Sequence, residues 1–151
     1  MQWVTRERPK IDRLACPWLI LRFIDPAGEI LYVPKDQVRS VAEATGAIPF
    51  DIPGVELTHE GELCSFDSFL TKYDLREPAL AHLARIVRGA DTDRLDLTPQ
   101  CAGLLAITLG LGANFHDDQQ LLQAGRVIYD ALYTWCINLT AETHGWYPER
   151  M

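Results

Sequence analysis

The chain has 151 residues, of which 48% are hydrophobic and 23% are charged, values typical of one folded domain with a packed core. Its net charge of −7 argues against nucleic-acid binding by this domain, because phosphate contacts require a broad basic surface. Since its apolar runs are too short to cross a bilayer and its N-terminus has no apolar signal core, we expect a cytoplasmic protein without a membrane partner.

The first half of the chain alternates between strand and helix patterns. Three short apolar runs predict strands, at residues 2–5, 29–33 and 48–52. Two stretches with helical spacing of apolar residues predict helices, at residues 10–24 and 34–46. Asp12 is a candidate cap of the first helix, and Pro17 could shorten or kink it. This βαβαβ order predicts a small, mostly parallel three-stranded sheet.

The second half is predicted to be helical. Four stretches have helical patterns, at residues 66–74, 78–89, 98–112 and 118–142. Ser65, Thr98 and Asp117 are candidate N-caps, while Gly89 and the segment "GLGAN" at 110–114 are candidate helix stops. Together the two halves predict one α+β domain over residues 1–151, with the helices of the C-terminal half packed against the sheet.

Residues 59–67 concentrate residue types that bind metals or transfer protons: His59, Glu60, Glu62, Cys64 and Asp67. In an extended chain His59 and Glu60 would point to opposite faces, whereas a turn at Gly61 would bring His59 near Glu62. The alternative is a polar loop with solvated glutamates and a small buried thiol at Cys64. The spacing matches no established metal-binding motif.

A second candidate group comprises His116, Asp117 and Asp118, since a His-Asp pair before a helix can bind a divalent ion. Capping explains Asp117, and the helix dipole explains Asp118, which leaves His116 without a structural role. A third group, Arg88 and Asp91, is also typical of a helix end followed by a turn.

A basic cluster near the N-terminus is a candidate oxyanion site. It comprises Arg6, Arg8, Lys10 and Arg13, which lie between a predicted strand and a predicted helix. Guanidinium groups match the geometry of oxyanions, and helix N-termini favour anions. The alternative is a solvated charged loop.

Nucleotide and dithiol chemistry are not indicated. The sequence has neither a GxGxxG motif after a strand nor a Walker A loop, so no nucleotide cofactor is predicted. The four cysteines are widely spaced and form no CxxC pair, which favours reduced thiols over a redox pair.

Long segments resemble the C-terminal domain of the chromate-resistance protein B family. They are "WVTRERPKIDRLACPWLILRFIDP", "LYVP", "PFDIPGVELTHEGELCSFDSFL", "IVRGADT", "AGLLAITLGL" and "NFHDDQ". The resemblance implies a role in bacterial chromate resistance, a stress response in which regulation and chromate reduction have both been associated with the family. Longer members carry an additional N-terminal region, so we expect this chain to be the domain alone.

The segments that carry the resemblance contain the candidate groups. We therefore expect His59, Glu62, Asp91, His116 and Asp117 to converge on a divalent zinc, iron or manganese ion. The basic cluster would attract chromate or a similar oxyanion. A sensing or regulatory binding domain is the first hypothesis, and a metal-dependent enzyme, either a chromate reductase or a hydrolase, is the alternative. A plain interaction module and a homo-oligomer also remain open.

Overall fold

Three parallel strands form the sheet predicted from the first half of the chain. In the computed structural model, which describes residues 1–145, β1 (Gln2–Arg6) lies between β2 (Glu29–Val33) and β3 (Ile48–Pro49). Both outer strands pair with β1 in parallel. The α+β prediction is therefore confirmed. Residues 146–151 of the predicted domain lie outside the described residues.

Helices make up most of the remaining described structure. They are α1 (Asp12–Leu19), α2 (Val38–Thr45), α3 (Ser65–Lys72), α4 (Pro78–Asp91), α5 (Cys101–Asn114) and α6 (Asp118–Asn138). The predicted first helix is divided, because α1 contains Pro17 and continues as a wider π-helical turn over Ile20–Ile24. Within residues 1–145, no helix is both long enough and apolar enough to cross a membrane.

The predicted helix stop at Gly89 is wrong. Gly89 lies inside α4, where a Cβ atom would meet the Cys101 sulfur and lie 2.6 Å from the Arg94 carbonyl oxygen. Glycine is therefore required there by close packing and does not end the helix. The predicted stop at 110–114 agrees with the structure, because α5 ends at Asn114, although the helix begins three positions later than Thr98.

The largest buried side chains join the sheet to the helices. Trp3 of β1, Trp18 of α1, Phe66 and Phe69 of α3, and Tyr129 of α6 are all almost completely inaccessible to solvent. The Tyr129 hydroxyl donates a 3.0 Å hydrogen bond to the carbonyl oxygen of Ile11, the residue before α1. This contact fixes the beginning of α1, where a buried carboxylate lies.

Candidate metal centre

A cluster of charged side chains lies beyond the carboxyl ends of the parallel strands. Asp12 opens α1 in the connection that follows β1, and Asp51 lies two residues beyond the end of β3. His59 comes from the loop before α3, and Asp91 is the last residue of α4. The carboxyl edge of a parallel sheet is the usual location of ligand sites in such folds.

Three carboxylates surround one imidazole nitrogen. The Nε2 atom of His59 lies 3.0 Å from Asp91 Oδ2, 3.3 Å from Asp12 Oδ2 and 3.3 Å from Asp51 Oδ1. Asp12, Asp51 and Asp91 are 1%, 5% and 16% exposed, whereas the His59 side chain is 42% exposed. The cluster is therefore buried on the carboxylate side and open to solvent on the imidazole side.

The Asp12 carboxylate is held by the N-terminus of α3. Its Oδ2 accepts a 2.7 Å hydrogen bond from the main-chain N–H of Ser65, and its Oδ1 accepts a 3.0 Å bond from that of Phe66. These donors belong to the helix end that intrahelical bonds leave unpaired. The positive end of the helix dipole also favours a carboxylate there. The predicted capping role of Asp12 thus falls on a different helix, because α1 begins at Asp12 with no side-chain cap hydrogen bond.

The Asp51 carboxylate is held by two arginines and a hydroxyl. Arg6 Nη2 lies 3.2 Å and Arg13 Nε 3.6 Å from Asp51 Oδ2, and Ser65 Oγ donates a 2.6 Å hydrogen bond to Oδ1. Asp51 therefore has charge partners of its own, which orient it beside His59.

A second ion pair links α3 to α4. Arg88 of α4 donates to both carboxylate oxygens of Asp67 in the first turn of α3, at 3.0 and 2.8 Å. A bidentate pair of this kind fixes geometry as well as charge. Since Asp91 follows Arg88 by one helical turn, this pair positions the end of α4 relative to the α3 N-terminus and hence to Asp12.

Two residues of the cluster region have unfavourable backbone conformations. Ile11 has φ 36° and ψ −90°, and Asp51 has φ 56°. Positive φ is a clear outlier for a β-branched residue such as isoleucine. Backbone strain of this kind is concentrated at functional sites in proteins.

Burial and the closeness of the three carboxylates shift the pKa values of the clustered side chains. The pKa of His59 is raised to about 10, chiefly by hydrogen-bonding contact with Asp12 and then with Asp51. Burial, followed by repulsion from Asp12 and Asp51, raises the pKa of Asp91 to about 7. Burial opposes ionisation of Asp51 as well, but hydrogen bonds from His59 and Ser65 outweigh it and lower the pKa of that carboxyl.

One subset of the cluster has the spacing of a metal site. Asp12, His59 and Asp91 each offer a ligand atom, and these atoms all lie within 4.8 Å of one another. One imidazole nitrogen and two carboxylates form a mixed nitrogen and oxygen donor set, which suits zinc, iron or manganese. Asp51 Oδ1 lies 3.3 Å from the same nitrogen, so its carboxylate would add negative charge beside such a set.

The structure brings together two of the five residues predicted to bind the metal, His59 and Asp91. Glu62 is exposed in the turn that follows His59, and it is outside the group that has metal-site spacing. His116 is exposed as well. Asp117 accepts a hydrogen bond from the Gln120 N–H as the N-cap of α6. The structure does not bring these three residues into the cluster.

The four basic residues predicted to bind an oxyanion also lie in different places. Arg6 and Arg13 lie beside the cluster through Asp51. Arg8 is directed elsewhere, because its guanidinium donates to the carbonyl oxygens of Gly112, Phe115 and His116 and pairs with Asp118. Lys10 is exposed. Of the four, Arg6 and Arg13 are therefore the basic side chains next to the candidate metal centre.

Sequence reasoning missed Asp12 and Asp51 as site residues. Asp12 was explained by helix capping, and Asp51 lay within a predicted strand, so neither stood out by spacing. One signal in the sequence was available, because each aspartate follows a strand of a parallel sheet and the carboxyl ends of such strands meet at one edge.

Comparison with known proteins identifies relatives of this sequence. The profile of one protein family, described as "ChrB, C-terminal domain", matches residues 3–136. A curated relative, Protein ChrB from Cupriavidus metallidurans, is 34% identical over 134 residues, which cover 88% of this chain and 40% of the relative. The chain thus spans less than half the length of that protein. No solved structure matches the chain.

Proposed function

This chain belongs to the family of ChrB C-terminal domains, and we propose that it binds a divalent metal ion through Asp12, His59 and Asp91. We further propose that this metal centre serves a sensing or regulatory role in chromate resistance. The family membership supports the link to chromate resistance. The metal centre rests on the geometry of the side chains.

The observation that carries the proposal is the convergence of three carboxylates on one imidazole nitrogen, at distances of 3.0 to 3.3 Å. Like charges this close repel strongly in a partly buried site unless a cation lies between them. A divalent ion would relieve the repulsion with two charges, whereas a proton on His59 supplies only one. The elevated pKa of Asp91 is consistent with this, because burial and then repulsion from Asp12 and Asp51 outweigh the attraction of His59.

The competing account is an ion-pair network without a metal. In that arrangement the proton on Nε2 of His59 takes the place of the ion, and Arg6 and Arg13 neutralise Asp51. Both accounts use the same contacts, so they differ in what the protein contains when it is isolated. Metal content is therefore the decisive measurement.

The position of Arg6 favours binding of an oxyanion beside the proposed metal centre. The Arg6 Nε atom is buried and has no hydrogen-bond partner within residues 1–145, although the side chain as a whole is 32% exposed. A buried donor without an acceptor is unfavourable, so an anion that accepts from it would be stabilised. Chromate, the oxyanion that the family resemblance implies, has oxygen atoms that could contact both a metal and this guanidinium.

A metal-dependent enzyme is the second candidate, and the open side of the site favours it. Because His59 is 42% exposed, a ligand from solvent could reach the cluster. Catalytic metal sites keep such an open position, where a bound water becomes more acidic. For a reductase, the cysteines near the cluster are poor electron donors, since burial raises the pKa of both Cys16 and Cys64. Hydrolysis is therefore the better supported of the two enzyme reactions.

The test begins with the full chain purified without a histidine tag. Elemental analysis should find about one divalent ion per chain, and titration calorimetry with zinc or manganese should show one site after chelation. His59→Ala and Asp91→Asn should abolish this binding. His116→Ala is the matched control, because His116 is an exposed histidine outside the cluster, and it should bind as the unmodified chain does.

The absence of stoichiometric metal, together with unchanged thermal stability after chelation, would refute the metal centre and favour the ion-pair network. The role of the centre is tested by adding chromate to the metal-loaded chain. Saturable binding with no loss of chromate absorbance supports sensing. Loss of that absorbance with a thiol or NADH present, faster than in a control without protein, would instead identify a reductase.

A further inference from the structure

The outer side of α5 is apolar and has no partner among the described residues. No charged residue occurs between positions 97 and 115, although the chain has 14 Lys or Arg and 21 Asp or Glu residues. The helix buries only Cys101, Leu104 and Thr108 fully, while Ile107 and Leu109 are 46% and 48% exposed. A helix that is apolar on all sides is normally buried on all sides.

A groove continues this surface onto α6. Its volume is about 380 Å³, and it is lined by Gly103, Leu104 and Ile107 of α5 and by Ile128, Ala131 and Leu132 of α6. Val127 of α6 is 67% exposed. We call these residues, together with Gly110, the α5–α6 face. The face combines a groove with protruding side chains, so it has the features of a packing surface.

Two glycines in α5 are not required by any contact among the described residues. A Cβ atom added at Gly103 or Gly110 would meet no atom of the described residues within 4 Å. Glycine weakens a helix relative to alanine, and here no close contact within the described chain requires it. Gly89 of α4 differs, because its neighbours leave no space for a Cβ. Since Gly103 and Gly110 are seven residues apart, they lie on one side of α5, where they would admit the close approach of another helix.

We propose that the α5–α6 face is the interface of a homodimer, with a second copy of this chain as its occupant. In a two-fold symmetric dimer a surface patch meets its own copy, so a patch with a net charge of one sign would repel itself. A chain with a net charge of −7 repels its copy over most of its surface. The α5–α6 face avoids that repulsion, because its residues are uncharged.

The dimensions of the face agree with this occupant. The two helices contain 14 and 21 residues, which correspond to about 21 and 31 Å, and packed helices lie about 10 Å apart. Their combined outer surface is of the same order as the roughly 800 Å² per partner that a stable interface buries. None of the proposed metal ligands belongs to the face, so dimer formation does not depend on the proposed metal centre.

The test measures the mass of the full chain in solution by sedimentation velocity and light scattering, with a chelator present to remove metal-mediated association. The unmodified chain should have twice the mass of one chain. Ile107→Lys should weaken the dimer by roughly a hundredfold or more, because two unpaired charges would be buried at the interface. Leu63→Lys is the matched control, since Leu63 is 43% exposed and lies outside the face; this variant should remain dimeric.

Gly110→Leu provides a second variant that one chain can accommodate, because the added side chain meets open space within it. It should fold with an unchanged circular dichroism spectrum and be monomeric. The proposal would be overturned by an unmodified chain that is monomeric, including one that binds to neutral phospholipid vesicles through this face. A dimer unaffected by both Ile107→Lys and Gly110→Leu would also overturn it.

Discussion

Asp12 and Ser65 connect two helices through one carboxylate. The main-chain N–H of Ser65 donates a 2.7 Å hydrogen bond to Asp12 Oδ2, and the same oxygen lies 3.3 Å from His59 Nε2. Asp12 therefore caps α3 and forms part of the candidate metal centre. These two roles depend on different properties of the side chain, because capping needs an acceptor oxygen and metal binding needs a negative charge.

Substitution of Asp12 should separate these roles. Asp12→Asn retains an acceptor for α3 but loses the charge, so we expect metal binding to fall sharply with a small loss of stability. Asp12→Ala removes both and should cost about 1–3 kcal/mol, since it leaves buried N–H groups unpaired. Urea denaturation of the metal-free variants measures the difference. Equal destabilisation by both substitutions would show that Asp12 does not cap α3.

Metal affinity should rise with pH. In the metal-free chain the pKa of His59 is about 10, so Nε2 carries a proton at neutral pH that an ion must displace. Between about pH 7.5 and 9.5 we expect about a tenfold gain in affinity per pH unit, which corresponds to one proton released per ion. Calorimetry in buffers of different ionisation enthalpy counts that proton. An affinity independent of pH over this range would exclude His59 as a ligand.

The stability of the metal-free chain should decline in alkaline solution. A histidine whose pKa is higher in the folded state stabilises the fold fully below its unfolded value of 6.5. That contribution is lost as pH rises through about 10. The free energy of unfolding, measured by urea titration with chelator present, should therefore fall between about pH 7 and 10. His59→Gln lacks this titration, so its stability should change less over the same interval.

Arg6 and Arg8 should differ in their effects on chromate binding, although the sequence placed them in one group. Arg6→Ala should weaken binding of chromate to the metal-loaded chain by about tenfold or more, since it removes the donor beside the cluster. Arg8→Ala should leave chromate binding unchanged. It should lower the free energy of unfolding by about 1 kcal/mol, because Arg8 holds the connection between α5 and α6. Equal losses of binding would contradict this division.

Gly89→Ala should destabilise the fold, contrary to helix propensity. Alanine normally favours a helix by about 1 kcal/mol over glycine. At this position the added Cβ would meet the Cys101 sulfur and the Arg94 carbonyl oxygen, so we expect a net loss of about 1–3 kcal/mol. Thermal unfolding followed by circular dichroism measures the effect. A stabilised variant would show that the segment before α5 can move away from α4.

Local patterns in the sequence predicted the order of the elements and the parallel sheet, since helical and strand periodicities are properties of short segments. They failed where tertiary contacts decide the outcome. A glycine near the end of a helical pattern predicts a stop. The packing of Cys101 that requires glycine at position 89 is a contact between segments, which the local pattern does not contain. Asp12 and Asp51 were not predicted as site residues for the same reason, because only the fold brings positions 12, 51, 59 and 91 together. His59 and Asp91 were found by residue type, which identifies capable side chains without locating their partners.

The Asp67–Arg88 ion pair completes a ring of contacts that links α3 and α4 to the candidate metal centre. Asp12 holds the N-terminus of α3, Asp67 of that helix holds Arg88, and α4 carries Asp91 back to within 3.0 Å of His59. Each link is either a helix or a short hydrogen bond, so the gap between the carboxylates of Asp12 and Asp91 has little freedom to widen. A fixed distance between the two carboxylates selects among cations by their radius. We therefore expect calcium, whose ligands stand farther from the ion than those of zinc, to be excluded by size even though both ions carry two charges.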